Sequence, residues 1–202
     1  MKFQYSAIIL AGGCILFFIF QNTIPVFTDA LILNQNSFPE AWRFVTSIFL
    51  HASLTHLIYN LFALILFGLI LENIIGTKKF LVVFFATGII ANFVSVNFYS
   101  SSLGASGAIF GIIGTLTVLR PMMFIFAYGL PMPLFVASII WVAGDIIMTF
   151  VPSNVGTIAH LTGLFAGIIT GLFLRKKFET YKRRKIKIPD EYLERWEENY
   201  MK

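Results

Sequence analysis

Leu103-Gly104-Ala105-Ser106-Gly107 sets a serine between small residues, where a short polar loop runs into an apolar helix that continues to Leu119. A serine hydroxyl is a poor nucleophile until a neighbouring base takes its proton, so Ser106 acquires meaning only if an imidazole reaches it. His160, far along the chain, is the candidate. The fold must therefore bring two distant segments together, and the apolar run after Ser106 says that this happens inside a membrane.

The whole chain supports that setting. Of its 202 residues 57% are hydrophobic and only 12% charged, and the mean hydropathy is +0.82, well above what a water-soluble domain of this size carries. Crossing roughly 30 Å of hydrocarbon takes about twenty mostly apolar residues. Six segments qualify: 6–20, 44–71, 80–98, 106–119, 133–150 and 157–174. The fourth is short, as expected of a helix whose first turn begins within the membrane. The fold class is thus an all-α integral membrane protein built as a six-transmembrane-helix bundle over 1–174, with a basic tail at 175–202.

An even number of spans leaves both termini on one side. Of the fifteen Lys and Arg residues, Lys2, Lys78, Lys79, Arg120 and the ten in the tail fall on that side, and only Arg43 lies elsewhere. Positive residues mark the cytoplasmic face, so the N- and C-termini are read as cytoplasmic and the loop before Ser106 as extracytoplasmic. The tail also carries six acidic residues and directly follows a span, so topology explains it better than nucleic-acid binding. Lys182-Arg183-Arg184-Lys185 suits anionic headgroups, and 191–199 reads as a short helix. Cys14 lies alone in an apolar run, which excludes an internal disulfide and argues for a packed small hydrophobe. No metal or cofactor site is indicated. The apolar segment 121–131, broken by Pro121, Gly129 and Pro131, reads as a folded cytoplasmic-side loop.

Polar groups inside spans are expensive, about 2.5 to 3.5 kcal/mol for a mid-helix Asp, Lys or Arg on insertion scales, and for that reason they point to function. His51, His56 and His160 all lie in spans or at their mouths. His56 and Asn60 are four residues apart, on one helical face that must look into the bundle. Counting at 1.5 Å per residue from Arg120, Arg175 and Glu72 puts Ser106 roughly 21 Å, His160 roughly 22 Å and Asn60 roughly 18 Å from the cytoplasmic charges. All three share a layer about 8 to 12 Å below the outer edge of the core. Gly107 and Gly111, with Gly114 a turn on, face a matching row of Ala159, Gly163, Gly167 and Gly171, a small-xxx-small pattern that lets two helices pack closely.

With these residues assembled, the sequence resembles the rhomboid intramembrane serine proteases, of the minimal six-helix prokaryotic type. The resemblance rests on Trp42-Arg43, on His51 with His56 and Asn60, and on Glu72 followed by Gly76-Thr77-Lys78-Lys79-Phe80. It extends to Gly104-Ala105-Ser106-Gly107 and to Ala159-His160 with Gly163 and Gly167. It implies a Ser106-His160 catalytic dyad, an oxyanion hole of His56, Asn60 and the Ser106 backbone N–H, and supporting roles for His51, Gly104, Phe110, Trp42 and Arg43. Phe110 departs from the pattern: many relatives have a tyrosine there, and the phenol hydrogen bond is lost while aromatic stacking survives. No acidic third member is expected. His160 is expected in apolar surroundings without a paired carboxylate, and Asp145, the acid buried in the fifth span, is assigned a structural hydrogen bond.

The expected function is therefore peptide-bond hydrolysis in the outer part of a membrane segment, in a prokaryotic cell membrane, with single-span membrane proteins and the bilayer as partners. A rhomboid-like protein that binds such segments without cutting is the nearest alternative. A six-helix transporter would also bury His and Asp, but it gives no reason for Ser106 to sit among glycines, and no inverted repeat is visible.

A helical substrate must unwind before its carbonyls can be attacked, and Gly lowers that cost by about 1 kcal/mol relative to Ala in a soluble helix. A type I single-span substrate with Ala-Gly near its outer end should be cut there, and the same span with Leu at those positions cut slowly. Mass spectrometry of the products decides: cuts in the cytoplasmic half, or equal rates for both spans, would contradict the orientation and the unwinding argument.

Overall fold

The structure, a computed structural model, describes residues 5–151, 156–183 and 190–201. The chain opens with helix α1 (Ser6–Thr23) and turns through the short α2 (Phe27–Leu31) into a two-residue strand β1 (Leu33–Asn34). It then forms α3 (Arg43–Thr46), which tightens into a 3-10 turn at Ser47–Phe49. Helices α4 (Leu54–Ile75) and α5 (Thr77–Ser95) follow, then β2 (Ser101–Ser102) and α6 (Ser106–Leu119). A hairpin of β3 (Phe124–Ala127) and β4 (Leu130–Pro133) leads into α7 (Leu134–Thr149), α8 (Thr157–Arg183) and α9 (Asp190–Tyr200).

Four helices are long and apolar enough to cross a membrane: α1, α4, α5 and the 157–175 part of α8. Helices α6 and α7 are apolar but shorter, at 14 and 16 residues. Large apolar side chains point outward along α1, α4, α5, α7 and α8, among them Ile9, Phe62, Val82, Ile139, Phe165 and Phe173, as they must where lipid replaces water. Cys14 is buried in α1 as a small hydrophobe.

The expected second span starting at 44 is corrected. Helix α4 begins only at Leu54, because Ser53 takes the N-cap position in extended conformation and its hydroxyl accepts from the His56 N–H at 3.1 Å. Residues 44–50 turn separately through α3 and the 3-10 turn. The third span likewise starts earlier, at Thr77, and ends at Ser95 instead of 98. The segment 121–131 is not a plain loop, since Tyr128 and Gly129 take positive φ at a tight turn that pairs Phe124 with Pro133 and Ala127 with Leu130. The outer turn expected at 151–156 falls mostly outside the described residues, as do Lys2 and the side chains of the basic run 182–185.

Helix α6 is the centre of the bundle. Its small residues let three backbones approach: a Cβ on Gly107 would stand 2.7 Å from Ala91 Cβ of α5, and one on Gly111 would fall on the Thr87 side chain. From the facing helix, Cβ atoms on Gly163 and Gly167 would land on the carbonyl oxygens of Gly107 and Gly111. Thr115 adds a hydrogen bond across the same seam, donating at 3.0 Å to the Gly167 carbonyl, and Thr117 meets Ser138 of α7 at 2.7 Å. Phe80 and Phe84 of α5, Leu64 and Leu71 of α4 and Ala7 of α1 fill the remaining core.

Glycine is therefore required at 167 but not at 12, where a Cβ meets nothing within 4 Å. Gly167→Ala should lower stability by about 1 to 3 kcal/mol or more through overpacking. Gly12→Ala should be neutral or slightly stabilising. Thermal unfolding in detergent micelles checks both, and equal midpoints for the two variants would contradict the packing argument.

Candidate active site

The loop before Ser106 is fixed from several directions. β2 pairs antiparallel with β1, matching Leu33 to Ser102 and Asn34 to Ser101. The Gly104 N–H donates to the Ser47 carbonyl at 2.9 Å. The Ser47 hydroxyl in turn accepts from Asn92 Nδ2 at 3.0 Å, and the same amide donates to the Phe44 carbonyl at 2.8 Å. Gly104 itself has φ +119°, and a Cβ there would come within 2.8 Å of His56 Cε1. Only glycine combines that backbone with an imidazole against it.

Helix α6 starts at Ser106 with Ala105 as its N-cap, and no side chain caps it. The first N–H groups of a helix lack intrahelical acceptors, so this uncapped end directs donors and the positive end of the helix dipole at whatever lies before Ser106. Ser106 is half-buried.

His56 lies on the near side of this loop. Its ring is 5.1 Å from that of His51, inclined at 64°. His51 is buried, with Nδ1 3.2 Å from the Phe49 carbonyl, while its backbone N–H donates to Gln21 Oε1 of α1 at 2.9 Å. His51 Nε2 is buried without a hydrogen-bond partner. Asn60, one turn below His56, does not leave its whole amide free: Nδ2 donates back to the His56 carbonyl at 2.8 Å, leaving one N–H, and Oδ1 is buried unpartnered.

His160 comes from α8. Its ring stacks on Phe110, with centroids 4.4 Å apart and planes within 5°. Phe110 is one turn on from Ser106, and Gly107 lies against Ala159, so the chain positions next to Ser106 and His160 touch. The expectation of apolar surroundings without a carboxylate is corrected: Asp145 of α7 places Oδ1 3.2 Å from His160 Nδ1. No hydrogen bond joins Ser106 to His160 among the described residues, and catalytic hydrogen bonds in ligand-free proteins are often long until substrate closes the site.

The structure places the remaining expected residues further out. Trp42 is exposed. Arg43 pairs with Glu40 and donates to the carbonyls of Asp29 at 2.6 Å and Ile32 at 2.9 Å, closing the last turn of α2 and holding the first loop together. Glu72 is distant from the site: its carboxylate accepts from the N–H groups of Ser6 and Ala7 and from the Thr77 hydroxyl. The sequence reading missed the Ser47-Asn92 support and the Asp145-His160 contact. A depth count would have placed Asp145 near the layer of the other polar groups, since it lies eleven residues into α7 from Leu134, roughly 16 Å, but would not have shown which way it faces. No cluster of metal-ligating residues occurs among the described residues.

Such a site holds a hydroxyl, an imidazole backed by a carboxylate, and several N–H donors around an uncapped helix start, the parts that acyl transfer uses. Comparison with known proteins agrees in kind. A family model described as "Rhomboid domain" matches residues 39–177. The putative rhomboid protease YdcA of Bacillus subtilis is 37% identical over 147 residues, covering 70% of this chain and 72% of that protein. The rhomboid protease GlpG of Haemophilus influenzae is 27% identical, over 65% of this chain and 69% of its own length. The inactive RHOMBOID-like protein 8 of Arabidopsis thaliana is 37% identical over 79 residues, 38% of this chain and 22% of its own.

The contact between Gly104 and His56 generates a measurable coupling. Gly104→Ala should destabilise the protein by about 1 to 3 kcal/mol through backbone strain and the clash with the ring. In Gly104→Ala with His56→Ala the clash disappears, so the double variant should be less destabilised than the sum of the singles. Additive losses in a double-mutant cycle would show that the ring and the glycine do not meet.

Proposed function

Because this chain belongs to the rhomboid family, we propose that it is an intramembrane serine endopeptidase that cuts single-span membrane proteins near the extracytoplasmic end of their span. The single observation that carries this reading is the seating of the His160 ring flat on Phe110, one turn from Ser106, beside the uncapped start of α6. In this reading α1, α4, α5, α6, α7 and α8 are six spans, with both termini cytoplasmic and the loop before Ser106 facing the other side.

His160 takes the Ser106 proton on Nε2, and the alkoxide attacks the scissile carbonyl. The resulting oxyanion is met by the Ser106 N–H, the His56 ring and the free N–H of Asn60. Loss of one such donor typically costs about 2.7 to 4 kcal/mol of transition-state stabilisation. The imidazolium then protonates the leaving amine, and water, activated by the same histidine, releases the acyl group. Water must reach this depth, which requires the polar groups to border a cavity open to the outside.

A non-cleaving role is the second reading, favoured by the match to an inactive relative. Ser106 and His160 are both present here, with Gly107 beside Ala159 and Phe110 stacked on His160, which favours cleavage.

A fluorophosphonate probe and a single-span substrate test the proposal together. The probe should label Ser106 in the wild-type chain and fail in Ser106→Ala. Ser106→Ala, His160→Ala and the double variant should lose cleavage to a similar extent, because the two residues act as one unit. A wild-type chain that neither labels nor cuts would favour the non-cleaving reading, and a double variant far worse than either single would show independent roles.

A further inference from the structure

Asp145 is an acid in an apolar helix, and its surroundings say what it is for. It is 9% exposed, and its carboxylate contacts one polar group, with Oδ1 3.2 Å from His160 Nδ1. Oδ2 is buried with no partner. The carboxylate caps no helix and pairs with no Lys or Arg among the described residues, so neither common structural use of a buried acid accounts for it. The backbone around it is braced at the same level. Thr149, four residues on, donates to the Asp145 carbonyl at 2.8 Å and meets the Thr157 hydroxyl at 2.8 Å. Thr157 meets the Tyr99 hydroxyl at 3.3 Å, and that oxygen accepts from the Ile158 N–H at 3.1 Å. Thus the end of α7, the start of α8 and the loop before Ser106 are tied together around the Asp145-His160 pair.

On the other side of the ring, Phe110 offers a flat face and no hydrogen-bonding group. Stacking fixes the plane of an imidazole but leaves its rotation within that plane, and its tautomer, free. A carboxylate at Nδ1 settles both.

We infer that Asp145 is the positioning residue of the active site, a third member that holds His160 with its proton on Nδ1 and its lone pair on Nε2. The inference rests on the serine-histidine reading above. In the reaction Nδ1–H stays on His160 and donates to Asp145 Oδ1 throughout. Nε2 gains the Ser106 proton as the Oγ–carbonyl bond forms, and gives it to the leaving nitrogen as the C–N bond breaks. Asp145 exchanges no proton, and its charge lies beside the positive charge that the ring carries between those steps.

The test uses the full chain in lipid vesicles, with Asp145→Asn, Asp145→Leu and Asp145→Glu. Leucine is better tolerated in a span than a carboxylate, so the Leu variant is not expected to fail by misfolding, and its thermal midpoint checks this. Fluorophosphonate labelling of Ser106 and kcat for a single-span substrate should fall by about 10²-fold or more in the Asn and Leu variants, in the range of a general-base contribution. KM should stay within about threefold, since no substrate contact is removed. The Glu variant, which keeps the charge, should recover much of the rate. In 15N NMR of the wild-type chain the His160 proton should sit on Nδ1. Labelling of Asp145→Asn at the wild-type rate, or a wild-type proton on Nε2, would overturn this inference alone. Absence of labelling in the wild-type chain would overturn the serine reading and this inference with it.

Discussion

The backbone-to-backbone approach of α6 and α8 is the constraint on which the rest depends. Glycines at 163 and 167 face the carbonyls of Gly107 and Gly111 with no room for a methyl group. Lipid offers little hydrophobic drive between helices, so association relies on such packing and on hydrogen bonds like that of Thr115 to Gly167. The seam is also what carries His160 to the level of Ser106. A helix pair held apart by side chains would leave Phe110 out of reach of the imidazole ring, and with it the stacking that orients the histidine.

Around that seam several polar groups are held by neighbours on other elements. Gly104 leans on His56, the loop before Ser106 hangs from Ser47, and Ser47 is gripped by Asn92 of α5. The last two links satisfy buried donors and acceptors, which matters more within a membrane than at an aqueous surface because little solvent is there to stand in. The site is therefore built on the packed bundle and inherits its rigidity.

Much of this was legible from the sequence, for physical reasons. Rows of small residues at four-residue spacing announce close helix contacts, and the His56-Asn60 spacing follows from helical periodicity. Other features were hidden. The start of α4 was obscured because apolar residues run on through 44–50, and only the Ser53 cap divides them. The hairpin at 124–133 was hidden by Pro131, which read as a breaker but sits in β4 of a two-strand ladder, where each strand is an edge and pairing tolerates it. The contact of Asp145 with His160 depends on how α7 is rotated against α8, which no spacing within a single helix can specify. Arg43 was given a supporting role by the family resemblance, yet its guanidinium pairs with Glu40 and donates to two carbonyls at the end of α2.

Glu72 carries a consequence for the order in which the molecule assembles. It stands in the last turn of α4, where its own helix dipole opposes a negative charge, and its carboxylate is instead received by the first N–H groups of α1 and by Thr77 at the start of α5. Residue Tyr5 provides no side-chain cap for α1. The leading end of α1 is thus finished by a carboxylate that lies 65 residues later in the chain. Until α4 has inserted, the start of α1 must find its acceptors in headgroups or water, and it can settle only when the third helix of that junction begins. Synthesis runs from one end of the chain to the other, while the start of α1 is completed by residues of α4 and α5.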